Sequence, residues 1–239
     1  MPRHALRLVT EMTRKNSIVV PPHTKPDSTL LDYAGYAFPV DGLGPGARRL
    51  VLWVRGCDAR CPGCITPELW EPGDPTLVTD IVRELLPLVS LADGISISGG
   101  EPFRQPAALC ALIDALRVEH DVEVLVYTGR LFEELVTSGG ATAELLARID
   151  LLLDGPFVEE QANTLRWRGS DNQRVHLLTP RAQRHREESD LPMPAERPLQ
   201  VQQTGPQRYR IVGIPRRGDL DVLRNLLAQR GWEVSQDHG

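Results

Sequence analysis

No stretch of the chain provides the roughly 18 consecutive apolar residues that a membrane-spanning helix needs, so no span is expected. The apolar run Ser17-Ile18-Val19-Val20 is too short for the hydrophobic region of a secretory signal, and prolines follow it. Positive charge is not in excess. Lys and Arg number 27 against 32 Asp and Glu, for a net charge of −5 and a pI near 5.7. That removes the electrostatic case for nucleic acid as the main partner. Cysteines are few, four in all, and three are crowded together, which is no disulfide framework. Cys61 and Cys64 could pair only as a redox couple and would leave Cys57 over. Thiols that bind metal in the cytoplasm are the better reading. No Cys or His pair at zinc-finger spacing follows the cluster, and no Ser/His/Asp set or paired carboxylates announce acid–base catalysis.

What is present centres on Gly56-Cys57-Asp58-Ala59-Arg60-Cys61-Pro62-Gly63-Cys64, a C-x3-C-x2-C loop after the strand-like run 50–54. Tetrahedral zinc and iron–sulfur clusters normally take four protein ligands. Cys57, Cys61 and Cys64 supply three and leave a position open for chemistry. Cys110 lies in an apolar helical pattern and reads as a small core residue. The 239 residues, 41% hydrophobic and 25% charged, suit one sizeable domain with extensions or two small ones.

Along the chain, residues 1–35 read as an irregular extension with a short strand near 17–20. Strand 50–54, helix 76–89 with Pro87 at its end, strand 94–98, helix 105–118, strand 122–127, helical patterns at 131–138 and 141–148, strand 151–153 and strand 174–178 follow. Strands alternating with helices of this length predict βα units and a parallel sheet. The glycine-rich segments follow the strands, on the rim where α/β folds place ligands. Residues 180–198, charged and proline-rich, read as a flexible linker. Residues 199–239 read as a small β-α unit, with a strand at 207–214, a helix at 219–229 and a strand at 232–235. The expected division is therefore 1–35, 36–179, 180–198 and 199–239.

Ser98-Gly99-Gly100-Glu101-Pro102 begins 34 residues after Cys64. Two glycines at a strand end let backbone approach a ligand, and the carboxylate can accept from an ammonium group. Together with the cysteine loop this resembles the radical S-adenosylmethionine superfamily. The resemblance implies an open, partial βα barrel of parallel strands. It implies a [4Fe-4S] cluster held by Cys57, Cys61 and Cys64, with S-adenosylmethionine on the fourth iron and a 5′-deoxyadenosyl radical as the product of its reductive cleavage. Gly63, Cys64, Ile65, Ser98, Gly99, Gly100, Glu101 and Pro102 then line the cosubstrate. Thr128 and Asp154, at strand ends, are candidate contacts to ribose or acceptor.

Over roughly residues 38–178 the chain further resembles the activating proteins of anaerobic ribonucleoside-triphosphate reductase. The residues that carry this are the cysteine loop, Pro67-Glu68-Leu69-Trp70, Tyr127-Thr128-Gly129, Asp154-Gly155-Pro156-Phe157 and Trp167-Arg168-Gly169-Ser170-Asp171-Asn172-Gln173. The implied partners are a glycyl-radical enzyme and a low-potential electron donor of the flavodoxin or ferredoxin type. Ile65-Thr66 departs from the aromatic and asparagine more usual there, and the extra segments at both ends are additions to a compact family. A radical enzyme acting directly on a small molecule or peptide is the alternative, which the C-terminal addition favours because it could shape a private pocket.

Overall fold

In a computed structural model, residues 28–161, 164–195, 199–206, 208–216 and 218–230 are described. The strands expected at 17–20 and 232–235 lie outside them. The elements in order are β1 (Leu30–Leu31), β2 (Tyr33–Val40), β3 (Arg49–Val54), β4 (Thr76–Leu77), α1 (Val78–Val89), β5 (Gly94–Gly99), α2 (Pro106–Arg117), β6 (Val124–Tyr127), α3 (Phe132–Ser138), α4 (Gly140–Leu146), β7 (Leu151–Asp154), β8 (Arg174–Leu177), α5 (Arg186–Ser189), β9 (Gln200–Gly205), β10 (Arg208–Val212) and α6 (Asp219–Gln229).

Six strands form one sheet in the order β2-β3-β5-β6-β7-β8. The inner four run parallel, and β2 and β8 close the edges antiparallel. The order advances in one direction without reversal, so right-handed crossovers place α1 through α4 on the same face. Side-chain alternation along the strands confirms this. Leu50, Leu52 and Val54 of β3, Ile95 and Ile97 of β5, Val124 and Val126 of β6 and Leu152 of β7 all enter one core with α1 through α4. The alternate positions face the other way. Val51 and Trp53 pack with Ala37, Val40, Leu43, Leu69 and Val212, while Leu125, Leu151 and Leu153 pack with Trp167 and Ala182.

Between these two smaller clusters the sheet carries polar groups. Ser96 on β5 donates to Leu43 O at 2.6 Å and accepts from Arg49 Nε at 2.9 Å. Arg49 is wholly buried; it also bonds Pro45 O and Ile95 O and meets Glu123 at 3.2 Å. Burial pulls its guanidinium below the ordinary value, and Glu123 opposes this. Glu123 is held in turn by Arg184 at 2.9 Å and His185 at 3.0 Å. A buried charge of this kind is tolerated only when so fully bonded.

Several expectations are revised. The edge strand β2 escaped the sequence reading because Gly35 and Pro39 interrupt it. An edge tolerates proline, since the missing N–H faces no partner strand. Strand 174–178 pairs antiparallel, so the sheet is mixed rather than all parallel. Helix α1 starts at Val78, because Thr76 and Leu77 pair with β1. It also runs past Pro87, whose exposed side lets the freed carbonyl reach water. β9 was not expected: its polar residues show little alternation. Within the stretch expected as a linker, residues 182–189 form a 3-10 turn and α5. Their charges are paired rather than solvated. Arg181 meets Asp121, Arg184 meets Glu123, and Glu188 meets Arg166 at 2.9 Å, while Ala182 is fully buried. Helix 105–118, the helices after 131 and helix 219–229 stand as expected.

Candidate metal centre at the strand ends

β3 delivers the chain directly into the cysteine loop. A 3-10 turn at Pro67–Leu69 anchors the loop from outside. Gly56 N–H donates to Leu69 O at 2.9 Å and Cys57 N–H to Trp70 O at 2.8 Å. Inside the loop Cys64 N–H donates to Cys61 O at 3.1 Å, and the reversal uses left-handed backbone at Arg60 and Gly63. Glycine suits position 63 because its φ is 73°, where other residues are strained. Arg104 pairs with Asp58 and ties the loop to the segment after Pro102.

The Gly99-Gly100 pair lets β5 and its exit press against this loop. Gly100 N–H donates to Val54 O at 2.7 Å and Glu101 N–H to Gly56 O at 2.8 Å. A Cβ on Gly99 would sit 2.5 Å from Val54 O, and one on Gly100 2.5 Å from Gly56 O. Glu101 follows, buried, with its carboxylate spread over three donors. Oε1 accepts from Phe103 N–H at 2.9 Å and Thr128 Oγ1 at 2.8 Å, and Oε2 accepts from Gly129 N–H at 2.9 Å. Burial raises its pKa, and these three donors, Phe103 first, work against the rise. Thr128 therefore joins the site through Glu101. Gly129 is the meeting point of the rim, where a Cβ would lie 3.5 Å from Ala59 Cβ, 3.6 Å from Glu101 Oε2 and 4.0 Å from Pro156 Cα.

The other candidate residues fall in place unevenly. Ser98 is half-buried on the face opposite the helices, Pro102 is buried, and Ile65 is 41% exposed beside the loop. Asp154 turns away: it shares the side of β7 that Leu152 shows to the helices. Its carboxylate takes Phe132 N–H at 2.7 Å and Arg174, with His176 Nε2 at 3.1 Å. Burial alone would raise its pKa, but Arg174, Phe132 N–H and His176 outweigh it and hold it below the ordinary value. Cys110 is buried in α2 within the helix-side core, apart from the loop.

Three half-buried thiols on one loop are the ligand type that an iron–sulfur cluster takes. Among the described residues no three His, Cys, Asp or Glu side chains are set to hold a single metal ion. A cubane takes one thiolate per iron and so spreads its ligands. Burial pushes the Cys61 thiol up, the Phe157 backbone works against this, and Cys64 and Cys57 raise it further. Bound iron reverses that mutual repulsion. The Trp70 indole N–H, buried with no acceptor, belongs to the residue that anchors Cys57. A cluster sulfide is the kind of acceptor it lacks. Trp70 was not singled out as a site group from sequence.

The rim and donor set define an iron–sulfur protein on a mixed α/β sheet wound in one direction. In keeping with this, the family described as 4Fe-4S single cluster domain matches residues 41–176, which include every cysteine of the loop. The anaerobic ribonucleoside-triphosphate reductase-activating protein of Vibrio cholerae is 36% identical over 161 residues, 62% of this chain and 99% of that protein. Its Escherichia coli namesake is 34% identical over 158 residues, again 62% and 99%. A pyruvate formate-lyase-activating enzyme of Staphylococcus aureus is 35% identical over 94 residues, 35% of this chain and 37% of that enzyme. The chain belongs to the family of anaerobic ribonucleoside-triphosphate reductase-activating proteins. No helix among the described residues is long and apolar enough to cross a membrane.

Proposed function

We propose that the chain is a radical S-adenosylmethionine activase that installs a glycyl radical on an anaerobic ribonucleoside-triphosphate reductase. The observation that carries this is the direct bonding of the Gly-Gly-Glu segment to the backbone of the three-cysteine loop, through Gly100 N–H to Val54 O and Glu101 N–H to Gly56 O. An odd ligand set and a carboxylate-bearing strand end thereby share one rim. Bound by Cys57, Cys61 and Cys64, a [4Fe-4S] cluster supplies the low-potential electron for reductive cleavage of S-adenosylmethionine and so for removal of a hydrogen atom from a glycine.

The chain's own residues position the reactants and exclude competing reactions. Gly63, Cys64 and Ile65 form the outer lip beside the cosubstrate. Ser98, Gly99 and Gly100 give it a half-buried backbone edge, and Pro102 fixes the turn behind them. Oε2 of Glu101, with a single donor, keeps a lone pair for the methionine ammonium. Thr128 orients Glu101. Asp154 acts by fixing the start of α3 and the start of β8, without touching the cosubstrate. The one-directional strand order and the face opposite the helices suit an open partial barrel that admits a segment of the partner. The electron comes from a low-potential donor of the flavodoxin or ferredoxin type.

The test is anaerobic reconstitution with iron and sulfide, then incubation with S-adenosylmethionine, a reductant and the reductase large subunit. Electron paramagnetic resonance should show a glycyl radical. Cosubstrate cleavage with no such signal would remove the reductase from the proposal and favour a small-molecule or peptide acceptor.

A further inference from the structure

The hairpin of β9 and β10 lies beyond the family-matched segment and packs on the sheet face opposite α1 through α4. Its register sets Gln200 opposite Val212 and Gln202 opposite Arg210. Residues directly opposite in an antiparallel pair share a face, as do alternate residues of one strand. The four side chains therefore point the same way. Val212 is buried with Val51, Trp53 and Leu69, and Gln200 Nε2 donates to Pro39 O at 3.0 Å. That face looks onto β2 and β3.

Arg210 lies over the Trp53 ring, 4.8 Å from its centroid, and its Nη2 donates to Ala34 O at 2.8 Å. A ring and a carbonyl thus hold the half-buried guanidinium, and no carboxylate among the described residues forms an ion pair with it. Burial pulls its pKa below the ordinary value; Glu68 and Tyr33 oppose this, and Arg55 adds to it. Across the hairpin, Gln202 Oε1 is buried with no donor. A desolvated cation without a counter-charge and a buried acceptor without a donor both cost free energy in the free protein. Together they suit a ligand that brings a negative charge and an N–H.

Their place in the fold is beside the rim. Trp53 pairs in register with Ser98, and Leu69, whose carbonyl anchors Gly56, belongs to the same cluster as Trp53 and Val212. Tyr127, packed between this cluster and that of Trp167, also keeps a buried hydroxyl with no partner.

We propose that the hairpin forms one wall of the acceptor's berth, where Arg210 takes a carboxylate and Gln202 Oε1 a backbone N–H of an acidic peptide segment of the acceptor protein. An extended peptide carries both groups at neighbouring positions, which matches two side chains that are cross-strand neighbours. The inference rests on the proposed reading of the chain as an activase with a protein acceptor.

The experiment titrates the reductase large subunit into reconstituted protein with S-adenosylmethionine and reductant, and reads the glycyl radical by electron paramagnetic resonance. Arg210→Gln should raise the half-saturating reductase concentration about tenfold, the worth of a charge-assisted hydrogen bond. The 5′-deoxyadenosine formed without reductase should stay as in wild type. Added salt should weaken wild type more than Arg210→Gln, because screening acts on a charge that the variant lacks. Arg210→Lys should keep the salt response and recover part of the affinity. Val212→Ala, which loosens the same hairpin with its charge in place, should respond to salt as wild type does. Gln202→Met should also weaken reductase binding without destabilising the free protein, since it removes an acceptor that has no donor. Equal half-saturation for wild type and Arg210→Gln, an unaltered salt response in Arg210→Gln, or a parallel fall in 5′-deoxyadenosine without reductase overturns the inference alone. A wild type that cleaves S-adenosylmethionine yet gives no glycyl radical strikes the proposed function, and this inference with it.

Discussion

Substituting alanine for Gly100 tests how the rim is built. The backbone at Gly100 is not left-handed, so alanine carries no conformational penalty of its own. The cost is steric. A Cβ would stand 2.5 Å from Gly56 O and 2.9 Å from the carbonyl carbons of Arg55 and Gly56. That is about 1 Å inside ordinary contact, and the obstacle is backbone, which cannot rotate aside. Relief requires β5 and the start of the cysteine loop to part, at the expense of the bond from Glu101 N–H to Gly56 O. Overpacking of this kind costs about 1–3 kcal/mol, and a buried donor left unmade costs about 1–3 kcal/mol more. The expected loss is about 2–5 kcal/mol in urea unfolding of the apoprotein, with reduced iron on reconstitution because Gly56 adjoins Cys57. Gly139→Ala is the control. It has a φ of 65°, a ψ of −167° and no atom within 4 Å, so it should cost about 1–3 kcal/mol of backbone strain and leave iron content unchanged. The reasoning is refuted if Gly100→Ala is as stable as wild type and loads iron equally.

Other substitutions separate support from chemistry. Glu101→Ala should weaken S-adenosylmethionine binding with iron content preserved, as read by equilibrium dialysis and iron assay; loss of iron would make Glu101 structural only. Asp154→Asn should cost about 1–3 kcal/mol and leave cosubstrate affinity within about twofold of wild type, since the carboxylate faces α3. Because the folded pKa of Asp154 is lowered from 3.8, its ionised form stabilises the fold above that value. The advantage over asparagine should fade as pH falls below it, and an advantage that grows on acidification would contradict the assignment. Arg49→Met leaves Glu123 short of one buried partner and should destabilise by about 3 kcal/mol, measured by chemical denaturation.

The parts legible in sequence were those written in side-chain type and period. β3, β5, β6 and β7 announce themselves as short apolar runs, and α1 and α2 by their helical spacing. The three cysteines and the Gly-Gly-Glu-Pro segment were legible because each needs a residue type that nothing else supplies. What escaped was written in pairing. β2 hides behind Gly35 and Pro39, since an edge strand need not read as a continuous strand. Residues 182–189 resembled a solvated linker because Arg181, Arg184 and Glu188 find their partners at 121, 123 and 166, far away in sequence. Asp154 was read only as a strand-end residue; the face its side chain takes follows from alternation once the register of β7 is known.

The central claim is that Cys57, Cys61 and Cys64 hold a cluster whose vacant position serves S-adenosylmethionine. Its most direct test is 5′-deoxyadenosine formation by anaerobically reconstituted protein under strong reductant, wild type against Cys61→Ala. Wild type should produce 5′-deoxyadenosine and methionine in equal amounts, and Cys61→Ala none. Undiminished 5′-deoxyadenosine from Cys61→Ala, or none from a fully loaded wild type, would contradict it.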